Sequence, residues 1–175
     1  MRLSPLLLLV LLASVVSALP TFVNIHIKLS PEVAADARGY NAFIQENDVH
    51  NDVFLGLDQI EEPHVTLFLT AFREGTVPTQ LEAAIESILP HLPSTCSLPL
   101  GQAKAEGFYG MWTAQKDACT QLLSDLVVNA TESLVEPNQP VPAWVLAMPA
   151  GPQRTERIEY VKKYGSPNVF GFFTP

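Results

Sequence analysis

Two segments with a two-residue hydrophobic repeat, each followed by a helix-forming segment, constrain the fold of this chain more than any other feature. The first, "TFVNIHIKLS" (21–30), alternates apolar residues with Asn24, His26 and Lys28, as expected of a strand with one buried face. The second, "HVTLFLTAF" (64–72), is also predicted to be a strand. Each apolar face must be covered by another element.

The segments after these strands have the marks of helices. In "SPEVAADARGYNAFIQEN" (30–47), Ser30 can cap a helix and Pro31 suits its first position. In "PTQLEAAIESILPHL" (78–92), apolar residues recur at helical spacing until Pro90 ends the pattern. The predicted order is therefore strand, helix, strand, helix.

The rest of the chain adds strands and helices in mixed order. We predict strands over 96–107 and 108–115, a helix over 116–135, a Pro-rich surface loop at 136–144, a short apolar strand at 143–149, a helix from 154 to Lys163 or Tyr164, and an extended, Pro-bounded segment at 166–175. Hairpin-like as well as helical connections are typical of an α+β sandwich. That is the predicted fold class.

The N-terminus predicts the compartment. Arg2 precedes the apolar run "LLLLVLLASVV", and small residues precede a plausible cleavage point after Ala18, so 1–18 is predicted to be a secretory signal peptide. Its apolar core is shorter than the roughly 18 to 20 residues that cross a bilayer, although a signal anchor is the alternative. Residues 19–175 are then expected to form one domain, secreted or in the lumen of the secretory pathway.

An oxidising compartment bears on the cysteines and on one asparagine. Cys96 and Cys119 are expected to form a disulfide, the alternative being two buried thiols. Asn129 begins the sequon "NAT" and is a candidate glycosylation site. The histidines and cysteines do not fall at zinc-ligand spacings, so we predict neither a metal nor a cofactor.

The charge of the chain limits its partners. With 18 acidic and 10 basic residues the net charge is −8. Such a chain is a poor ligand for duplex nucleic acid and for anionic membranes, which need many Lys and Arg contacts. A small phosphorylated nucleotide or a short RNA end needs only one local positive spot and stays a candidate partner. The sequence does not indicate an oligomeric state.

The stretch "EEPHVTLFLTAF" (61–72) carries the most specific signal. Positions two apart on a strand point the same way, so His64 and Thr66 share a face. That predicted face also carries Phe68 and Thr70, while the core face carries Val65, Leu67 and Leu69. An isolated His-x-Thr triplet also occurs on ordinary surface strands, so the surrounding sequence has to decide.

That surrounding sequence resembles a known family. "PHVTLFL" after a strand-helix unit is similar to the motif of the 2H phosphoesterases, the superfamily of 2′-5′ RNA ligase-like proteins and cyclic phosphodiesterases. The resemblance implies a bilobal fold of duplicated strand-helix lobes around a central cleft, each lobe giving one His-x-Thr or His-x-Ser strand. It implies that His64 is one acid/base and that Thr66 donates to the phosphate.

The resemblance also implies a second motif. In the family, aromatic residues and proline introduce it, as in "FGFFTP" (170–175), so we expect residues 19–175 to be a 2H phosphoesterase-like domain with an incomplete second lobe. A naturally truncated relative is the alternative.

Further polar and aromatic residues are weaker candidates. Lys28 and His26 are candidate substrate-binding residues, although a solvated strand face explains them as well. His50 is predicted to lie in a surface loop and His91 to be structural. The aromatic residues that could stack a base, or simply fill a core, are Phe108, Tyr109 and Trp112.

The leading hypothesis is a metal-independent phosphodiesterase that opens 2′,3′-cyclic phosphates or acts on 2′-5′ linked small nucleotides. Two histidines suit this chemistry, because an ordinary pKa of about 6.5 lets one accept a proton while the other donates one near neutral pH. The alternatives are a secreted, noncatalytic ligand-binding module of the same fold and an unrelated extracellular α+β domain.

Overall fold

The structure is a computed structural model that describes residues 2–3, 21–47, 62–76, 78–93, 96–106 and 109–175. Apart from Arg2 and Leu3, the predicted signal peptide (1–18) lies outside the described residues and stays a prediction. His50 and Phe108 also lie outside them.

The elements alternate between strands and helices. The strands are β1 (Arg2–Leu3), β2 (Thr21–Lys28), β3 (His64–Phe72), β4 (Cys96–Ser97), β5 (Leu100–Glu106) and β6 (Tyr109–Ala114). The α-helices are α1 (Pro31–Asn47), α2 (Pro78–Ile88), α3 (Ala118–Thr131), α4 (Ala143–Leu146) and α5 (Pro152–Tyr164). Short 3₁₀ turns span Leu89–His91, Glu132–Leu134 and Phe170–Phe172. The fold is therefore mixed α+β, as the sequence predicts.

All strand pairs in the described residues are antiparallel: β1 with β4, β2 with β3, and β5 with β6. The β2–β3 pair is the longest and carries the motif residues. A second connection reaches the far side of β3, where Phe72 bridges Val135 and Arg73 N donates to Leu134 O at 2.9 Å. Strand β3 is thus held on both of its edges near Phe72.

Strand β3 contains a bulge that the sequence did not predict. Ile25 lies opposite Phe68 and His26 lies opposite Thr66, so Leu67 is an extra residue in β3. The predicted core side is correct for Val65 and Leu67, which are buried. Beyond the bulge the predicted faces are wrong, because Phe68 and Thr70 are buried and Leu69 is exposed.

Helix α3 organises the core. It packs against α2, β3 and β4. Its N-terminus is fixed by a capping box, in which Asp117 Oδ1 accepts from Thr120 N at 2.7 Å and Thr120 Oγ1 accepts from Asp117 N at 3.1 Å. Within the described ranges, no helix combines the length and the apolarity needed to span a bilayer.

The prediction of a strand at 143–149 is wrong, because Ala143–Leu146 form helix α4. Only Val145 of this helix is fully buried, whereas its neighbours Trp144 and Leu146 are about half exposed. A short apolar run bounded by prolines has too few residues for its periodicity to distinguish a strand from one helical turn.

The C-terminal segment is also not fully extended, because Phe170–Phe172 form a 3₁₀ turn. Val169 and Phe173 are buried, and Gln121 Nε2 on α3 donates to Phe170 O at 2.9 Å. Helix α5 packs its tyrosines on the same turn, with Tyr164 and Phe170 ring centroids 5.1 Å apart. The apolar residues of "VFGFFTP" thus find their packing partners on α3 and α5.

Candidate functional site

The candidate site lies on the face of the β2–β3 pair that points away from the core. Ile25 and Ile27 on β2 are buried, so the alternating residues Asn24, His26 and Lys28 lie on the other, half-buried face. Two successive cross-strand pairs then form there, Lys28 with His64 and His26 with Thr66. The structure therefore brings together all four residues that the sequence proposed for catalysis and substrate binding.

The hydrogen bonds of His64 define which nitrogen carries its proton. Its Nδ1 lies 2.7 Å from Glu62 O, and a carbonyl oxygen can only accept, so Nδ1 is the donor. In neutral imidazole the other nitrogen is then an acceptor. His64 Nε2 fills that role, since Asn24 Nδ2 donates to it at 2.9 Å. These two contacts are the ones that the Nδ1–H tautomer of His64 can make.

Asn24 is the site residue that sequence reasoning missed. Its amide group donates both to His64 Nε2 and to Thr66 Oγ1, the latter at 3.1 Å, so one side chain on β2 contacts both motif residues on β3. A signal was available, because asparagine is depleted in strands and Asn24 lies two residues before His26, on the same face. Asn24 Oδ1 is buried and has no hydrogen-bond partner among the described residues.

Lys28 supplies the local positive charge of the site. Its Nζ lies 3.0 Å from Glu62 Oε2, and the two side chains are 35% and 51% exposed. An ion pair this accessible to water is worth about 0–1 kcal/mol, so an incoming anion can compete with Glu62 for the lysine. Glu62 therefore holds both Lys28, through its carboxylate, and His64, through its carbonyl oxygen.

His26 stacks against His64. The ring centroids are 4.5 Å apart and the ring planes are tilted by 32°. Because the rings are in contact, a phosphorus atom cannot lie between them. The pair can contact the same ligand from one side, but it cannot deliver an acid and a base to opposite sides of one phosphate.

Together these groups match the chemistry of a phosphate ester. A hydroxyl, two imidazoles and an ammonium group can each donate a hydrogen bond to a phosphate oxygen, provided that an imidazole nitrogen carries a proton. No group of three or more His, Cys, Asp or Glu side chains in the described part of the chain could hold a metal ion.

The remaining predicted residues lie elsewhere. The Cys96–Cys119 disulfide is confirmed, with a Cα–Cα distance of 5.8 Å, and it joins β4 to the first turn of α3. Asn129 is exposed in the last turns of α3, and its glycosylation stays a prediction. His91 is exposed at the end of a 3₁₀ turn, far along the chain from the motif. Tyr109 belongs to β6, but its side chain lies outside the described part, as does that of Trp112 in the same strand.

Comparisons with family models, with curated proteins and with solved structures found no match to this chain.

Proposed function

We propose that the outer face of the β2–β3 pair binds a small phosphate ester, and that the chain is a metal-independent phosphodiesterase of the 2H type. One observation carries this proposal: two cross-strand pairs, Lys28 with His64 and His26 with Thr66, are neighbours on the same face of two paired strands. In a chain of net charge −8, such a set of cationic and donor groups is a local exception suited to an anion.

The favoured ligand class is a nucleoside 2′,3′-cyclic phosphate or a small 2′-5′ linked nucleotide. Hydrolysis of the cyclic phosphate forms a bond between the water oxygen and phosphorus and breaks one bond between phosphorus and a ribose oxygen. One base takes the proton of water, and one acid gives a proton to the ribose oxygen. Thr66 donates to a nonbridging oxygen, where negative charge develops. Imidazoles perform both proton transfers in this scheme, so it needs no metal.

His64 is the proposed imidazole on one side of the phosphorus atom. The opposite side needs a second group, and the stacked ring of His26 is too close to His64 to provide it. In the proposed bilobal arrangement, the second imidazole comes from the His-x-Thr or His-x-Ser strand of a second lobe across a cleft. The present sequence contains one such triplet, His64 to Thr66. His26 and Lys28 then act as ligands of the phosphate.

A second candidate function is a secreted, noncatalytic module that binds the same ligand. The observation that favours it is that the described site contains one His-x-Thr triplet, with the ring of His64 hydrogen-bonded at both nitrogens within the β2–β3 pair and the adjoining Glu62. Both candidates require the phosphate site, and they differ only in turnover. Secretion, as proposed from residues 1–18, applies equally to both.

The test is a titration of the full chain with adenosine 2′,3′-cyclic phosphate, followed by an assay for the ring-opened monophosphate. We expect Thr66→Val to weaken binding by roughly tenfold to a hundredfold, because it removes a hydrogen bond to a charged group worth about 1.5–3 kcal/mol. We expect a loss of the same size for His64→Ala at a pH where His64 Nε2 carries a proton that it can donate to the phosphate. His91→Ala, an exposed histidine outside the site, is the matched control. Unchanged unfolding of both variants would show that the loss is local.

The outcomes separate the candidates. Binding with turnover supports the phosphodiesterase, whose rate should then depend on pH as a bell-shaped curve. Binding without turnover supports the noncatalytic module. Absence of binding, or binding that His64→Ala and Thr66→Val leave unchanged, overturns the phosphate site and favours an unrelated α+β domain.

A further inference from the structure

The amide of Asn24 hydrogen-bonds to both residues of the His-x-Thr motif. Its two N–H groups are divided between them: one donates to His64 Nε2 at 2.9 Å and the other to Thr66 Oγ1 at 3.1 Å. An amide with these two contacts has used its donors, and its oxygen is buried without a partner among the described residues. The arrangement suits only one protonation state of His64.

We infer that Asn24 is a positioning residue that holds His64 neutral and ready to accept a proton at Nε2, and that it must turn or withdraw when His64 becomes charged. The Nδ1–H group of His64 is already committed to Glu62 O, so a second proton can enter only at Nε2. A protonated Nε2 cannot accept from the Asn24 N–H group. Two donors would then face each other at hydrogen-bond distance.

Rotation of the amide by half a turn resolves that conflict. The rotation places Asn24 Oδ1 where Nδ2 now lies, between His64 Nε2 and Thr66 Oγ1. The oxygen then accepts from the imidazolium and from the Thr66 hydroxyl. The oxygen that lacks a partner in the neutral state thus gains two donors in the charged state, while the NH2 group takes the buried place that the oxygen held. The change at His64 is transmitted to Thr66, whose hydroxyl switches from accepting to donating.

Other groups near His64 do not remove this dependence. Among the described residues, the titratable and charged groups around it are His26, which stacks on its ring, Lys28, which lies opposite on β2, and Glu62, which precedes the strand. Lys28 and Glu62 pair with each other through their charged groups. The group that lies at hydrogen-bond distance from His64 Nε2 is the amide of Asn24, at 2.9 Å.

The effect of Asn24 on the protonation of His64 does not require a ligand, whereas a use of that effect in catalysis rests on the proposed function. The experiment therefore begins with the ligand-free protein. Long-range ¹⁵N spectra of the histidine rings in the full chain report the neutral tautomer and the pH at which each ring is half protonated. We expect wild-type His64 to be the Nδ1–H tautomer when neutral.

Two substitutions change the contact at Nε2. Asn24→Ala removes the opposing donor, so at a fixed pH the ratio of charged to neutral His64 should rise about threefold to tenfold, the effect of one neutral hydrogen bond. Asn24→Asp keeps the shape and offers only acceptors, so the ratio should rise further, with tenfold or more expected for a close carboxylate. Asn47→Asp adds the same charge at the exposed end of α1 and should leave His64 unchanged.

Two results would contradict the positioning role of Asn24. An Nε2–H neutral tautomer in the wild type, or an Asn24→Ala variant whose His64 titrates at the wild-type pH, would overturn the positioning role and leave Asn24 as a structural link between strands. If Asn24→Ala does not fold, the tautomer of the wild type still decides. Binding of adenosine 2′,3′-cyclic phosphate, measured separately, tests the proposed function, so the two can fail independently.

Discussion

The side-chain amide of Gln139 donates to Thr70 Oγ1 at 3.0 Å, and the hydroxyl of Thr70 in turn donates to Tyr164 O at 3.0 Å. Gln139 also pairs with the backbone of Ala71 in both directions, accepting from its N–H at 3.3 Å and donating to its carbonyl oxygen at 3.0 Å. All of these atoms are buried. The network therefore ties the end of α5 and the Pro-rich loop to the strand that carries His64.

Removing the hydroxyl of Thr70 should destabilise the whole fold. Thr70→Val keeps the shape of the side chain but leaves Tyr164 O without its donor and Gln139 with one acceptor fewer. Leaving such buried groups unpaired costs about 1–3 kcal/mol. The measurement is the free energy of unfolding in urea. Thr70→Ser retains the hydroxyl and should lose less, so equal losses for the two variants would show that the methyl group, and not the hydrogen bond, matters.

Gly165 should tolerate no side chain. It ends α5 with φ at 68°, and a Cβ atom built there would overlap the Gln139 amide and Thr70 Oγ1. Gly75 is a matched control, because its φ is 84° but its surroundings are open. Gly75→Ala should cost only the backbone strain of about 1–2 kcal/mol. Gly165→Ala should cost clearly more, measured by thermal or urea unfolding. Similar losses of unfolding free energy at both glycines would mean that the side chains of Gln139 and Thr70 can move away from the new Cβ atom without destabilising the fold.

The disulfide should account for a substantial part of the stability. Cys96 and Cys119 are separated by 23 positions, for which loop closure in the unfolded chain corresponds to about 3 kcal/mol. The double variant Cys96→Ala, Cys119→Ala should therefore unfold at a lower urea concentration than the oxidised wild type. Wild type measured in a reducing agent is the control for the lost side-chain volume. If reduction leaves the unfolding midpoint unchanged, the bond adds nothing to the packing of β4 on α3.

Stability should fall at low pH through the helix cap of α3. The backbone N–H of Thr120 donates to the Asp117 carboxylate, which lowers the pKa of Asp117 in the folded protein. A lowered pKa means that the cap stabilises the fold above the unfolded-state value, about 3.9, and that this contribution is lost as the pH falls through the folded-state value.

The matched variant for this prediction is Asp117→Asn, which also caps helices but does not titrate. Urea unfolding of both proteins between pH 2 and pH 7 should show the advantage of the wild type over this variant shrinking as the pH falls below about 4. Asp117→Ala should cost about 1 kcal/mol at neutral pH. If the advantage of Asp over Asn does not depend on pH, the charge of the Asp117 carboxylate is not the cause of the stabilisation.

Much of the fold follows from local sequence patterns. The alternation in β2, the capping signals of α1, the helical spacing in α2 and α3 and the glycine that ends α5 all predict the elements found. These signals are local because capping, turn formation and the burial of one face depend on residues within a few positions of one another. Two of the failures are at α4 and at the C-terminal 3₁₀ turn, which are too short for periodicity to be decisive.

The sequence predicted only some of the residues of the candidate site. His64, Thr66, His26 and Lys28 were recognised because their chemistry and their two-residue spacing are visible in the chain. Asn24 was missed because its role depends on the register of β2 against β3, which places it within hydrogen-bond distance of both motif residues. Strand register is set by pairing between segments about forty residues apart, and no local pattern reveals it.

The sequence by itself determined the mixed α+β class, the partners of the disulfide and the presence of two polar strand faces able to meet. Only the tertiary structure decided which residues meet across those strands. The bulge at Leu67 turns Thr70 from the predicted polar face into the core, where Gln139 from a Pro-rich loop satisfies it. One inserted residue reverses every later side chain of a strand, and buried polar atoms then need partners that only the folded chain supplies.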